Sequence, residues 1–148
     1  MPAYIERATL YFQQGELDRA LADFSKVIEL NPRSATALND RCWVRAAAAR
    51  DLWPALADCD SAVRLQPDDA NVRDSRGFIH LRLDLLDDAI ANYDAALKIS
   101  PKFAESLYGR GLARRRRGDA AAGDADMAAA IAIRPGIAEE FTGYGLAK

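Results

Sequence analysis

Four prolines, Pro32, Pro67, Pro101 and Pro135, are spaced by 35, 34 and 34 residues. Each closes a similar phrase: VIELNP, AVRLQP, ALKISP and AIAIRP. About fifteen residues before each proline comes an acidic turn: GELDRA, RDLWPA, LDLLDDA and GDAAAG. A fixed period in this range means stacked supersecondary units. No such unit buries its apolar face alone, so neighbours must cover it.

Within a unit the period is helical. In the first unit Leu17, Ala20, Leu21, Phe24, Val27 and Ile28 fall at three- and four-residue steps, which places them on one helix face. Tyr4, Ala8, Tyr11 and Phe12 do the same one helix earlier. Gly15 ends that earlier helix by accepting a left-handed backbone. Pro32 ends the later one, and Ser34 is placed to cap the helix that follows.

Composition narrows the function classes. Half of the 148 residues are apolar and 28% are charged, which excludes a disordered chain. Net charge is −2, with 16 Arg against 4 Lys. That balance makes no general case for nucleic acid or an anionic membrane. No apolar run approaches the roughly 18 to 20 residues that span a bilayer. Residue 1 opens no signal peptide, so a soluble cytoplasmic protein is expected. A periplasmic location is the alternative if a leader precedes the first unit. Heavy Arg and Ala usage points to a GC-rich bacterial genome.

The repeating residues resemble the tetratricopeptide repeat (TPR) pattern. The first unit supplies Tyr4, Ala8, Tyr11, Ala20, Phe24 and Pro32. The second has Leu38, Cys42, Ala55, Cys59, Ala62 and Pro67, with one extra residue in the Ala46–Ala49 run. The third has Gly77, Ala89, Tyr93, Ala96 and Pro101. The fourth keeps Leu107, Gly111, Ala130 and Pro135 but carries Gly123 and Met127 where Ala and an aromatic are usual. The resemblance implies an all-α, right-handed α-solenoid over a single domain, residues 1–148. Its units run at about 1–34, 35–69, 70–103 and 104–137. Residues 138–148 then form a short, frayed capping helix, in which Phe141, Tyr144 and Leu146 cover the last unit.

The small-residue columns have a physical reason. Ala8, Cys42, Gly77 and Gly111 fall where the first helix of a unit crosses the second, facing Ala20, Ala55, Ala89 and Gly123. Small side chains let helix axes approach to about 8 to 9 Å. Arg7, Arg41, Arg76 and Arg110 precede these small residues, and Asp23, Asp58, Asn92 and Asp126 recur in phase. A ladder of Arg–Asp contacts between stacked helices is expected. Independent solvated charges are the alternative, and those would contribute little.

Chemistry-bearing residues are sparse. Cys42 and Cys59 lie at one helix crossing, in columns that hold core residues elsewhere, so buried inert thiols are expected rather than a redox pair. A lone histidine, His80, occupies an inter-helix packing position. No metal site, cofactor or catalytic constellation is expected. Arg114–Arg117 is the one charge run. It reads as a cationic end to a helix, complementing its dipole, or as the basic end of a groove, before it reads as a phosphate contact.

The groove is the better candidate site. In TPR proteins the first helix of each unit lines the concave face. By position that face holds Ile5, Thr9 and Phe12, then Asn39, Asp40 and Trp43. It continues with Asn71, Asp74, Phe78, Leu81 and Arg82, then Tyr108, Leu112 and Arg115. Thr9, Trp43, Phe78 and Leu112 form one column. An aromatic stripe flanked by Asn and Asp, turning basic toward its C-terminal end, suits an extended or helical peptide. Trp43 and Phe78 as inter-repeat padding is the competing reading. The clamp of chaperone-tail receptors is matched only in part, by Asn39 and Asp40 in the middle unit: Ile5 and Thr9 stand at its first pair of positions, and Asn71 and Ser75 at its third.

The expected function is therefore non-enzymatic: a scaffold binding a protein or peptide partner, without membrane insertion. Self-assembly into a homo-oligomer through the repeat ends is the alternative. The register itself is testable. Gly77→Leu overpacks the crossing and lowers stability by roughly 1 to 3 kcal/mol; an unchanged melting temperature would refute the register.

Overall fold

A computed structural model of the chain describes residues 2–146. Residue 1 of the first expected unit, and 147 and 148 of the expected terminal segment, lie outside the described residues. Among the described residues, nine helices and no strand form. They are α1 (Pro2–Gln13), α2 (Leu17–Leu30), α3 (Ala35–Ala47), α4 (Leu52–Leu65), α5 (Ala70–Arg82), α6 (Leu86–Ile99), α7 (Ala104–Arg116), α8 (Ala120–Ile133) and α9 (Ile137–Gly143). Each consecutive pair packs as a hairpin, and each hairpin packs on the next. The first helices also touch across units, α3 with α5 and α5 with α7, whereas the second helices make no comparable contact with one another. First helices therefore crowd an inner row and second helices fan out, which curves the stack into an all-α solenoid.

The punctuation follows the proline period. Asn31, Gln66, Ser100 and Arg134, each preceding a proline, leave their helices with φ between −143° and −132°. Proline's ring disfavours helical backbone in the residue before it, and each second helix stops at the same place. Ser34 caps α3 as expected, its hydroxyl accepting the Ala37 N–H at 3.3 Å.

Small residues set the crossings. Ala8, Ala20, Cys42, Ala55 and Ala89 are fully buried. A Cβ on Gly77 would sit 2.9 Å from the Tyr93 ring, and one on Gly111 only 2.8 Å from the Gly123 carbonyl oxygen. In the third unit the column pair is thus glycine under tyrosine, and in the fourth glycine under Met127. In the second unit the same two columns hold Cys42 and Cys59, and these are joined by a disulfide with Cα atoms 5.6 Å apart. The expected inert thiols are corrected to a covalent staple between α3 and α4. A crossing tight enough for glycine and an aromatic ring places two cysteine Cα atoms within disulfide range. Such bonds persist in oxidising compartments.

The charged columns form the expected ladder. Arg7 pairs in bidentate fashion with Asp23 (2.7 and 2.8 Å), Arg41 with Asp58 (2.6 and 2.7 Å) and Arg110 with Asp126 (2.8 Å twice). Each guanidinium from the second unit onward also reaches back one unit: Arg41 to Ser25, Arg76 to Asp60 and Arg110 to Asp94. The first bond ties the two helices of a unit, and the second ties that unit to its predecessor. The clamped aspartates are buried, so loss of the arginine would strand a carboxylate. Bonding to Arg7 holds the Asp23 carboxyl below its usual range. The third unit departs from the pattern. Asn92 cannot pair ionically, and its amide bonds the His80 ring nitrogen at 3.0 Å instead. The corresponding neighbours in the second and fourth units, Arg45 and Arg114, add a second cation to Asp58 and Asp126. Burial, with Arg76 beside it, pushes the His80 pKa down, in keeping with a neutral partner.

The turns inside the units share a left-handed residue: Gly15 (φ 78°), Ala49 (φ 53°), Asp84 (φ 59°) and Gly118 (φ 102°). The extra residue of the second unit lengthens its turn, residues 48–51, and adds a second left-handed residue, Asp51 (φ 49°). An alanine in this region costs roughly 1 to 2 kcal/mol, partly offset because glycine loses more entropy on folding. Ala49→Gly should therefore raise stability by about 0.5 to 1 kcal/mol, read as a higher urea midpoint with unchanged slope.

Candidate functional site

The inner row carries a string of aromatic rings. Phe12 meets Trp43 edge-on with centroids 5.5 Å apart, and Trp43 lies 6.4 Å from Phe78. The string then passes to the C-terminal segment. Tyr144 lies 5.8 Å from Trp43 and 5.5 Å from Phe78, while Phe141 stacks on Tyr108 at 4.7 Å. The sequence places the terminal segment over the last unit; it covers that unit and reaches back to the second. Gly145 adopts φ 79°, and the Leu146 N–H returns to the Phe141 carbonyl at 2.9 Å. This closes α9 with a Schellman turn that seats Leu146 in the core.

Beside this segment a groove of about 570 Å³ stays open. Of the residues predicted to line the concave face, it gathers Thr9, Phe12, Asn39, Trp43, Asn71, Asp74 and Phe78, together with Asp40. The others are placed elsewhere. Ile5 packs in the cluster that joins the first unit to Trp43 and Val44 of the second. Leu81 and Leu112 are fully buried, and Tyr108 lies beneath Phe141. Arg82 donates to the carbonyls of Ala46 and Ala47, at 2.9 and 3.1 Å, and to that of Tyr144. Arg115 faces Asp124 at 3.4 Å and the Met127 sulfur.

The C-terminal end of the inner face is consequently not basic. Across Arg114–Arg117 each guanidinium faces a carboxylate: Asp126, Asp124, Asp84 and Asp87 in turn. The groove itself is acidic. Glu105 and Glu140 join the aspartates on its wall, and both are bonded to Arg134, at 2.6 and 2.7 Å. That triad pins α9 to α7. Among the described residues no three His, Cys, Asp or Glu side chains converge as a metal site would require. No helix there is long and apolar enough to cross a membrane.

Asp74 is the unusual group. It lies on α5 beneath the groove, and the Ser106 hydroxyl donates to its Oδ1 at 2.6 Å. Burial pushes its pKa from the ordinary 3.8 up to about 7; the Ser106 bond and Arg134 pull it down, and Glu105 raises it. Position alone found Asp74, but not Ser106, Glu105, Arg134 or Tyr93. One signal existed: Ser106 stands in a column that is Ala37 and Val72 in the preceding units. A raised carboxylate means the native state holds more protons than the unfolded chain between pH 3.8 and about 7. Stability contributed by this group therefore falls as pH rises through that window. Asp74→Asn keeps an acceptor for Ser106 and removes the charge. The variant should gain roughly 2 to 4 kcal/mol over the parent at pH 8 and almost nothing at pH 4, by urea unfolding.

A tetratricopeptide repeat model matches residues 2–34, and a TPR repeat model matches residues 86–118. No curated protein matches the chain. Among solved structures, TTC0263, a thermophilic TPR protein in Thermus thermophilus, superposes with a TM-score of 0.82 at 20% identity, over 97% of this chain and 82% of that one. YrrB, described as a TPR protein with an unusual peptide-binding site, gives 0.70 at 24% identity, over 96% and 73%. The first TPR of Spaghetti (RPAP3) bound to the HSP90 peptide SRMEEVD gives 0.73 at 22% identity, over 78% and 90%. Identities this low establish the fold. Two stretches of the chain thus match tetratricopeptide repeat models in sequence, and the solenoid complete around them has the fold of solved TPR proteins.

Proposed function

We propose that this protein is a non-catalytic interaction scaffold whose open groove binds a peptide segment of a protein partner. The observation that carries the reading is the half-buried Trp43, flanked by Phe12 and set above Asn39 and Asn71 in one cavity. An amphipathic aromatic with polar neighbours is the surface that most often dominates binding energy. Asn side chains beside it supply donors and acceptors for an extended backbone. Two of the structural relatives are described by their peptide or peptide-binding site, which supports the same reading. The C-terminal part of the inner face is filled by Phe141, Tyr144 and Leu146, so the partner engages the groove left open beside them.

Trp43→Ala with Phe12→Ala should reduce capture of the partner by about tenfold or more, each truncation of an anchor being worth upwards of about 1 kcal/mol. Helicity should be retained, since both rings are only half-buried. Pull-down from the source organism with parent and variant makes the comparison; equal capture by a helical variant would refute groove binding.

A further inference from the structure

The open half of the groove is chemically one-sided. Asp40, Asp69, Asp74, Glu105 and Glu140 line it against a single cation, Arg134, which is already bonded to Glu105 and Glu140. Acidic lining alone identifies nothing, but two further atoms point the same way. Tyr93 is 1% exposed and lines the cavity, with its hydroxyl tip against Gly109, and among the described residues that oxygen has no hydrogen-bond partner. The Asn39 side-chain oxygen is also buried and without a partner among the described residues, its amide nitrogen being turned to Asp40. Buried oxygens without donors are costly, and a donor-rich ligand is what relieves them.

We propose that the groove receives an arginine or lysine side chain of the bound peptide, its N–H groups donating to Asp74 and Asp40 and to the Tyr93 and Asn39 oxygens, with Trp43 as the aromatic wall. The inference rests on the groove-binding reading above and names the partner's chemistry. A guanidinium or ammonium brings several donors and no acceptor, which complements a site of carboxylate, phenol and amide oxygens. Such a cation also gains from an aromatic face when partly desolvated. An acidic peptide would instead meet the carboxyl groups of Asp40, Asp69, Asp74, Glu105 and Glu140. Asp74 fits the role from a second direction, since its burial disfavours the lone charge that a bound cation would neutralise. The groups facing it are Ser106 and Glu105 from α7, Tyr93 from α6, Arg134 beyond α8 and Tyr144 just after α9.

Immobilised random dodecapeptides probed with the full chain select binders. The tightest binder is then resynthesised with its cationic residue changed in turn to norleucine and to glutamate. The proposal requires that binders be enriched in Arg or Lys over Asp and Glu. It also requires that norleucine weaken binding about tenfold or more, as loss of charge-assisted bonds implies, and that Asp40→Asn with Asp74→Asn remove that difference. Glu139→Gln, an exposed carboxylate outside the groove, controls for net charge and should leave the difference intact. Binding of the cationic peptide should tighten about tenfold from pH 6 to pH 8 in the parent and stay flat in the double variant. Binders without cation enrichment, or a double variant that keeps the discrimination, would overturn the cation site while leaving groove binding in place. If no peptide binds, or if Trp43→Ala leaves binding unaltered, both readings fall.

Discussion

The backbones of α7 and α8 approach so closely that a Cβ on Gly111 would press on the Gly123 carbonyl. The same close crossing recurs in each unit, and much else follows from it. A unit of two helices at this separation hides its small side chains, and Tyr93 lies across both Gly77 of its own unit and Gly109 of the next. Burial is then shared between units rather than completed within one. The tight crossing also explains the second unit. Where cysteines replace the small residue and the aromatic, their sulfurs meet, and a covalent bond replaces interdigitated packing.

Polar order is superimposed on this packing by one repeated arginine. From the second unit onward it reaches back to the preceding unit, and in the second and fourth it also clamps its own aspartate. The preceding unit shields these guanidiniums, leaving the Arg41 and Arg110 side chains 18% exposed, whereas Arg7, with nothing described before it, is 54% exposed. Arg7 instead lies over the rings of Tyr4 and Tyr11. The ladder is thus worth most in the middle of the stack, where water is excluded and Coulomb attraction is least screened. The His80–Asn92 pair marks the one unit where a neutral bond replaces the clamp.

Curvature of the stack creates the inner face, but α9 decides how much of it is available. By folding back through Phe141, Tyr144 and Leu146, the chain fills the C-terminal portion with its own aromatic residues and draws Arg82 onto the Tyr144 carbonyl. What remains is a shorter groove walled on one side by α9 and held by the Arg134 bonds to Glu105 and Glu140. An inner face that reads in sequence as a long stripe with a basic end is in the folded molecule a compact acidic pocket with an aromatic wall.

The sequence by itself determined the architecture: the proline period, the paired small columns and the phased Arg and Asp positions each correspond to a local constraint repeated along the chain. It also determined which helix faces inward, and so brought Thr9, Phe12, Asn39, Trp43, Asn71, Asp74 and Phe78 to one cavity. Tertiary structure alone decided the features that arise where distant segments meet. Phe141 and Tyr144 read equally well as a cap on the last unit until their partners proved to include Trp43 and Phe78. Arg82 and Arg115 read as ligand-facing cations until carbonyls and Asp124 engaged them. Asp74 read as one more polar groove residue until burial beside Ser106 and Glu105 changed its acidity. Periodicity records what each unit does to its neighbour, one step along the stack. It carries no record of a segment that leaves the repeat and returns across it, and there the pairing of unlike residues is settled by packing and desolvation in three dimensions.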